Sequence, residues 1–416
     1  MTNPRGQKAI YILYHPLGNR DAKRFGIAEL IGAGLQVEAW DLSHFFLPAT
    51  NGLGIETPSW VDLSVCSNIA HFRNLCRTLT SEDVVIFPGG VHPMQVLRGR
   101  KILRLLSTTP ARLTSISTAQ VPTPIYPGKI RSWSGTRFAR AFLLLTDPWR
   151  WKTIPRRLIS TMSAQTFAIQ RRLRLGGSIR PLDHIWAGTM VSEKVPFLIG
   201  PSTTVTYIHT LDYDLVLALR ATTDRKRESA PRPVFIDSMN ALHPDNLVHG
   251  TQIVMSIETY SDLVCRALDE IEKRLGTEVV IAVHPRANLG VMEPWYGGRT
   301  LIYGQITELV AGATVVIVAE GSTAIGLAAL FRRPLTLLAS RRSDSYIQGM
   351  NRAYAQALDM PLIDLDAPEL PPLTLDVNEE AYAQYVQKYV KRQGTPEEPF
   401  WSVVASEIVS GAQPQA

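Results

Sequence analysis

Val279-Val-Ile-Ala-Val-His284-Pro285-Arg286 and, further along, Thr314-Val-Val-Ile-Val-Ala-Glu320-Gly321-Ser322-Thr323 decide how this chain is read. Both are short, unbroken apolar runs without polar alternation, the pattern of strands buried on both faces of a parallel sheet. Each stops abruptly in polar residues, which puts those residues at strand C-termini. In an open parallel α/β sheet that edge is where ligands are held. Gly321-Ser322-Thr323 leads into an apolar stretch, Ala324 to Phe331, predicted as a helix. Its hydroxyls and free backbone N–H groups are then placed to hold an anion such as a phosphate. His284 on the neighbouring loop reaches for the same phosphate, Arg286 adds a cation, and Glu320 is placed for a ribose hydroxyl.

Outward from these runs, strand and helix alternate. Ala9 to Tyr14 reads as a strand ending at His15-Pro16, Ala22 to Ala33 as one helix stopped by Gly34, and Gln36 to Trp40 as a strand ending at Asp41. A helix from Ile69 to Leu79, a strand from Asp83 to Phe87 before Pro88-Gly89-Gly90, and a strand from Arg112 to Ile116 continue the series. Asp183 to Ala187, Phe197 to Ile199 and Val205 to His209 are further predicted strands. Residues 222–233 carry charges and prolines and read as a linker.

Beyond the linker, a strand from Pro233 to Ile236 ends at Asp237, and a helix from Ser261 to Leu275 is stopped by Gly276. Leu301 to Tyr303 and Pro334 to Leu338 are strands; Ile306 to Ala311, Ser345 to Leu358, Glu379 to Arg392 and Pro399 to Ser410 are helices. The alternation predicts an α/β protein of two Rossmann-like domains, 1–222 and 233–416, and a chain of 416 residues exceeds the size at which one core keeps growing. The glycines at 18, 32 and 34 do not form G-x-G-x-x-G, so a bound dinucleotide is not expected.

Apolar residues make up 45% and charged residues 19% of the chain, which suits packed cores rather than disorder. Cys66, Cys76 and Cys265 have no metal-ligand spacing, so a reduced protein is expected. The polar start before the first strand and the absence of a bilayer-length apolar run predict a cytoplasmic location. One stretch breaks the pattern. Residues 126–180 interleave Arg131, Arg137, Arg156 and Arg172 with Trp133, Trp149 and Trp151, against a single acid, Asp147. Such a mixture suits contact with an anionic inner-membrane surface or a solvated basic face whose tryptophans pack inward. Nucleic acid comes last, because no binding motif accompanies the charge.

A His-Pro pair closing one strand, then Ser-Thr opening a helix after another, resembles the nucleotide-binding half of GT-B glycosyltransferases. Bacterial sialyltransferases and polysialyltransferases, and the CDP-glycerol glycerophosphotransferases, are the nearest of that kind. The resemblance covers residues 233–340. It implies two domains facing a cleft and metal-independent transfer from a nucleotide-activated donor, with a CMP-linked acidic sugar expected. The implied acceptor is a growing bacterial surface polysaccharide or glycolipid, and no cofactor beyond the donor is expected. His284, Ser322 and Thr323 match the family's phosphate residues; Thr323 departs from the commoner serine but keeps a hydroxyl. By the same analogy a final helix carrying Trp401 returns to the N-terminal domain.

The acidic general-base motif of sialyltransferases is absent. Chemistry leaves Asp212 and Asp214, with His209, at the end of an apolar strand, and Asp237 facing the cleft from another strand end. Asp212-Tyr213-Asp214 has the spacing of a metal site but not its setting. Two other readings stay open: a CDP-glycerol-type phosphotransferase, and a non-catalytic nucleotide-sugar-binding or membrane-associated protein. Each residue also has a plainer role open to it as a helix cap or turn.

Overall fold

The computed structural model describes residues 7–46, 57–90, 97–118, 120–125, 179–191, 198–222, 231–238, 255–284 and 292–411. Residues 223–230 of the linker, nearly all of the basic aromatic stretch and Arg286 therefore fall outside the described residues. Among the described residues no helix is long and apolar enough to cross a membrane.

Two parallel sheets organise the chain. The first contains β1 (Lys8–Leu13), β2 (Gln36–Asp41), β3 (Asp62–Val65), β4 (Val84–Phe87), β5 (Arg112–Ser117), β6 (His184–Ala187) and β7 (Thr204–Tyr207), in the order β3-β2-β1-β4-β5-β6-β7. The second contains β8 (Val234–Ile236), β9 (Val280–Val283), β10 (Leu301–Tyr303), β11 (Val316–Ala319), β12 (Leu335–Ala339) and β13 (Leu362–Asp364), in the order β10-β9-β8-β11-β12-β13. Every pairing is parallel, as strands buried on both faces require. Within β1, Ala9, Tyr11 and Leu13 enter one core while Ile10 and Ile12 enter the other. In β8, Val234 and Ile236 likewise separate from Phe235.

The second sheet keeps its long helix where the pattern put it, but Ser256 starts it earlier than expected. Its Oγ accepts from Thr259 N at 3.3 Å, so the helix runs Ile257–Leu275 and ends at Gly276 with φ 66. A side-chain cap of this kind contributes about 1 kcal/mol. The expected single helix over 22–33 is two, Asn19–Arg24 and Ile27–Gly32, broken at Gly26 with φ 61. Leu198 and Ile199 are not in a strand.

Chain segments cross between the two sheets. Asp212 and Asp214, expected on a strand, lie in the first turn of a helix, Leu211–Ala221, whose Tyr213 and Val216 belong to a core of the second sheet. In return, the last helix, Phe400–Ser410, puts Phe400, Trp401, Val404 and Ile408 into a core of the first sheet. The indole N–H of Trp401 donates to the Arg24 carbonyl at 2.9 Å. Two buried aromatic side chains alone account for several kcal/mol of that attachment.

Candidate functional site

Strand order reverses between β1 and β4 in the first sheet and between β8 and β11 in the second. These are the switch points at which open α/β sheets leave a crevice for ligands. At the first, Tyr14 donates its hydroxyl to the Gly89 carbonyl at 2.9 Å, and a Cβ on Gly89 would lie 1.9 Å from the Tyr14 hydroxyl oxygen. His15 stands beside it, its Nδ1 3.9 Å from Asp21 Oδ2. At the second lie Asp237-Ser238 after β8 and Glu320-Gly321-Ser322-Thr323 after β11.

The loop after β11 differs from the expectation of a helix N-terminus. Ala324 N donates to Ser322 Oγ at 3.2 Å, while Ile325, Gly326 and Leu327 donate to the Ser322, Thr323 and Ala324 carbonyls at 3.0–3.2 Å. The first turn of this short helix, Ile325–Leu330, has thus used its own N–H groups. The N–H groups of Gly321, Ser322 and Thr323 make no hydrogen bond among the described residues. Glu320 and Gly321 are successively left-handed, at φ 62 and 59, which leaves those N–H groups outside the helix that follows. A non-glycine residue at positive φ is strained, and here it sits at the ligand edge of a sheet.

Beneath this loop lies a buried acidic and aromatic layer. Glu320 and Asp237 are each 2% exposed. Tyr296 hydrogen-bonds Asp237, and Ser238 Oγ donates to the Ala319 carbonyl at 2.9 Å. Burial first, then the charges of Asp237 and Glu320, push the Tyr260 hydroxyl well above the usual tyrosine range. Asp237 therefore lies under the strand ends rather than facing the cleft, and Glu320 is turned under its own loop. His284 ends β9 and is half-buried. Because β8 lies between β9 and β11, His284 and Gly321 stand about two strand spacings, roughly 10 Å, apart rather than on adjacent loops.

Beside the loop, segments that follow strands of the first sheet also reach the pocket. A small pocket of about 20 Å³ is lined by Arg24 and Gln120 from the first unit and by Asp212, Thr323, Gly326 and Tyr389 from segments that pack in the second. Asp212 and Thr323, both singled out in the sequence, are thus brought together. Asp214 is not: its Oδ1 accepts from Phe400 N at 2.8 Å and lies 3.7 Å from His209 Nε2. Burial raises its pKa to about 6, against the opposing effects of the Phe400 N–H and His209. Asp214 anchors the returning helix and faces no acceptor.

The sequence reading missed Arg24, Gln120 and the tyrosines of the helix Glu379–Tyr389. The one signal for Arg24 was Gly26, an isolated glycine inside a helical pattern. For Gln120 there was none. Its Oε1 accepts from Met190 N at 2.8 Å, a contact 70 residues away in the chain.

Two Rossmann-like units that face a shared cleft with their strand C-termini, with the last helix returning to the first unit, make up the GT-B fold. No protein-family model matches the chain, and no curated protein matches it. Solved structures similar in arrangement include the glycosyltransferase SnogD of Streptomyces nogalater, at 12% identity over 98% of this chain and 99% of that one, TM-score 0.45. MurG of Acinetobacter baumannii is similar at 10% identity over 97% and 99%, TM-score 0.41. The UDP-GlcNAc 2-epimerase of Neisseria meningitidis, bound to UDP-GlcNAc, is similar at 14% identity over 98% and 100%, TM-score 0.40. These likenesses concern the arrangement of sheets and helices alone.

Proposed function

We propose that this protein is a glycosyltransferase that moves a sugar from a nucleotide-activated donor to a hydroxyl of a glycan or lipid-linked acceptor. The observation that carries the reading is the pocket in which Asp212 and Thr323, at the end of the Gly321–Thr323 loop, meet Arg24 and Gln120 of the other unit. The acceptor hydroxyl gives its proton to the Asp212 carboxylate as its oxygen attacks the anomeric carbon. The bond from that carbon to the donor phosphate breaks, and its electron pair leaves with the nucleotide. The N–H groups of Gly321, Ser322 and Thr323 and the Ser322 and Thr323 hydroxyls are assigned to the growing phosphate charge. His284, farther along the same edge, is assigned to the donor's remaining polar groups, with Arg286 beside it in sequence.

A CMP-linked acidic sugar is the first donor to try, supported by the His-Pro and Ser-Thr resemblance alone. Contact of residues 126–180 with an anionic inner-membrane surface belongs to the same proposal and rests on their composition. The test is a transfer assay over a panel of nucleotide sugars with wild type and Asp212→Asn. Loss of a general base costs roughly 10²–10⁴-fold in rate, and nucleotide binding is expected to be retained. Undiminished transfer by Asp212→Asn removes the role given to that carboxylate.

A further inference from the structure

The helix break at Gly26 and the returning last helix together aim one more charged group into the cleft. Arg24 ends the helix Asn19–Arg24 and is half-buried. Among the described residues its guanidinium makes no hydrogen bond or ion pair, and neither does the carboxylate of Asp212 in the same pocket. A half-buried guanidinium with no protein acceptor is open to an anion from solution. The backbone around it is fixed on both sides. Trp401 donates to the Arg24 carbonyl at 2.9 Å, and the Tyr11 hydroxyl donates to the Phe25 carbonyl at 2.7 Å.

Resting on the reading of this cleft as a donor site, we propose that Arg24 binds the phosphate of the nucleotide donor opposite the Gly321–Thr323 loop. The second unit presents N–H groups and hydroxyls; the first presents the full positive charge. The phosphate site is then complete only while the two units are joined, and Trp401 is the positioning residue that joins them. Arginine suits the role because its planar fork meets two phosphate oxygens at once, which a lysine does not. As the glycosidic bond breaks, negative charge grows on the phosphate and the attraction to Arg24 strengthens.

Calorimetric titration with CMP, CDP, UDP, GDP and dTDP tests this, with the matching nucleosides as phosphate-free controls. Wild type is expected to bind at least one nucleotide far more tightly than its nucleoside. Arg24→Ala should lower that affinity at least tenfold, leave the nucleoside unaffected and flatten the salt dependence. Arg24→Lys should recover part of the loss. Trp401→Phe keeps an aromatic ring but removes the pyrrole half of the indole with its N–H, so a smaller loss confined to nucleotides is expected. Equal nucleotide affinity in wild type and Arg24→Ala overturns the proposal while leaving the donor site standing. If wild type binds none of the five nucleotides, the donor-site reading fails and the proposal fails with it.

Discussion

Gly26→Ala probes how the last helix is seated on the first sheet. Gly26 has φ 61, and a Cβ there would lie 2.0 Å from Trp401 Cγ and 2.3 Å from Cδ2. Gly34 is its natural control: φ is 89, and a Cβ there would meet nothing within 4 Å. Both substitutions force an L side chain into the left-handed region, at about 1–2 kcal/mol. Both also stiffen the unfolded chain, which returns about 0.4–1 kcal/mol. Only Gly26 adds a collision. Trp401 is 4% exposed, bonded to the Arg24 carbonyl and packed 6.1 Å from the Tyr11 ring centre, so it has little room to yield. Overpacking of this kind costs about 1–3 kcal/mol.

Urea unfolding should therefore find Gly26→Ala about 1–3 kcal/mol less stable than Gly34→Ala. The same pair measured on a Trp401→Ala background closes the cycle: with the wall gone, the excess should disappear. Trp401→Ala alone costs about 3–5 kcal/mol, so the comparison needs mild conditions. Equal losses at Gly26 and Gly34, or an excess that survives removal of the tryptophan, would refute the reasoning.

Stability should also report on two buried titrating groups. Burial first, and Arg112 second, hold His184 at about 4, so between about pH 6.5 and 4 the unfolded chain takes up a proton that the folded chain refuses. Stability should fall as pH falls through that window, by up to roughly 3 kcal/mol, and His184→Asn should flatten the profile in a denaturant titration. Asp214 acts in the opposite sense: burial raises its pKa to about 6, so stability is lost as pH rises to that value. Asp214→Asn keeps an acceptor for Phe400 N and is expected to steepen the wild-type rise in stability between about pH 4 and 6 by removing this counterweight. Burial pushes the thiols of Cys66 and Cys76 up to about 12, so both should resist a thiol reagent at pH 8 unless denaturant is present.

What could be read from the sequence was what local pattern dictates. Val280 to Val283 and Val316 to Ala319 are fully buried because unbroken apolar runs fit only strands covered on both faces. Gly276 ended its helix as a left-handed cap, since glycine alone enters that conformation freely. The errors came where a distant segment decides. Asp212 and Asp214 follow a short apolar run, Val205 to His209, and extend it naturally as a strand. That strand stops at Tyr207 because Thr210 N donates to the Val390 carbonyl at 2.9 Å, starting a helix that packs in the other unit. Nothing within ten residues of Thr210 announces Val390. Similarly, β8 entered the sheet between β9 and β11, and periodicity carries no information on strand order.

The same long-range contacts explain why the cleft holds its shape. Around Asp212, His209 Nε2 lies 2.8 Å from the Glu398 carbonyl, Tyr213 donates to Glu397 Oε2 at 2.8 Å, and Asp214 accepts from Phe400 N at 2.8 Å. In the same core, a Cβ on Gly326 would lie 3.1 Å from Val390 Cγ2, so the helix after Thr323 rests directly on the same crossing segment. Residues 390–400 thus touch the supports of both Asp212 and Thr323. A change there alters the distance between Asp212 and Thr323 without contacting any ligand, and misplacement by about 1 Å is enough to cost roughly 10²-fold in rate. The crossing segment acts as the spacer of the cleft, and the returning helix, through Trp401 and the Arg24 carbonyl, extends the same rigid support to the cation we assign to the donor phosphate.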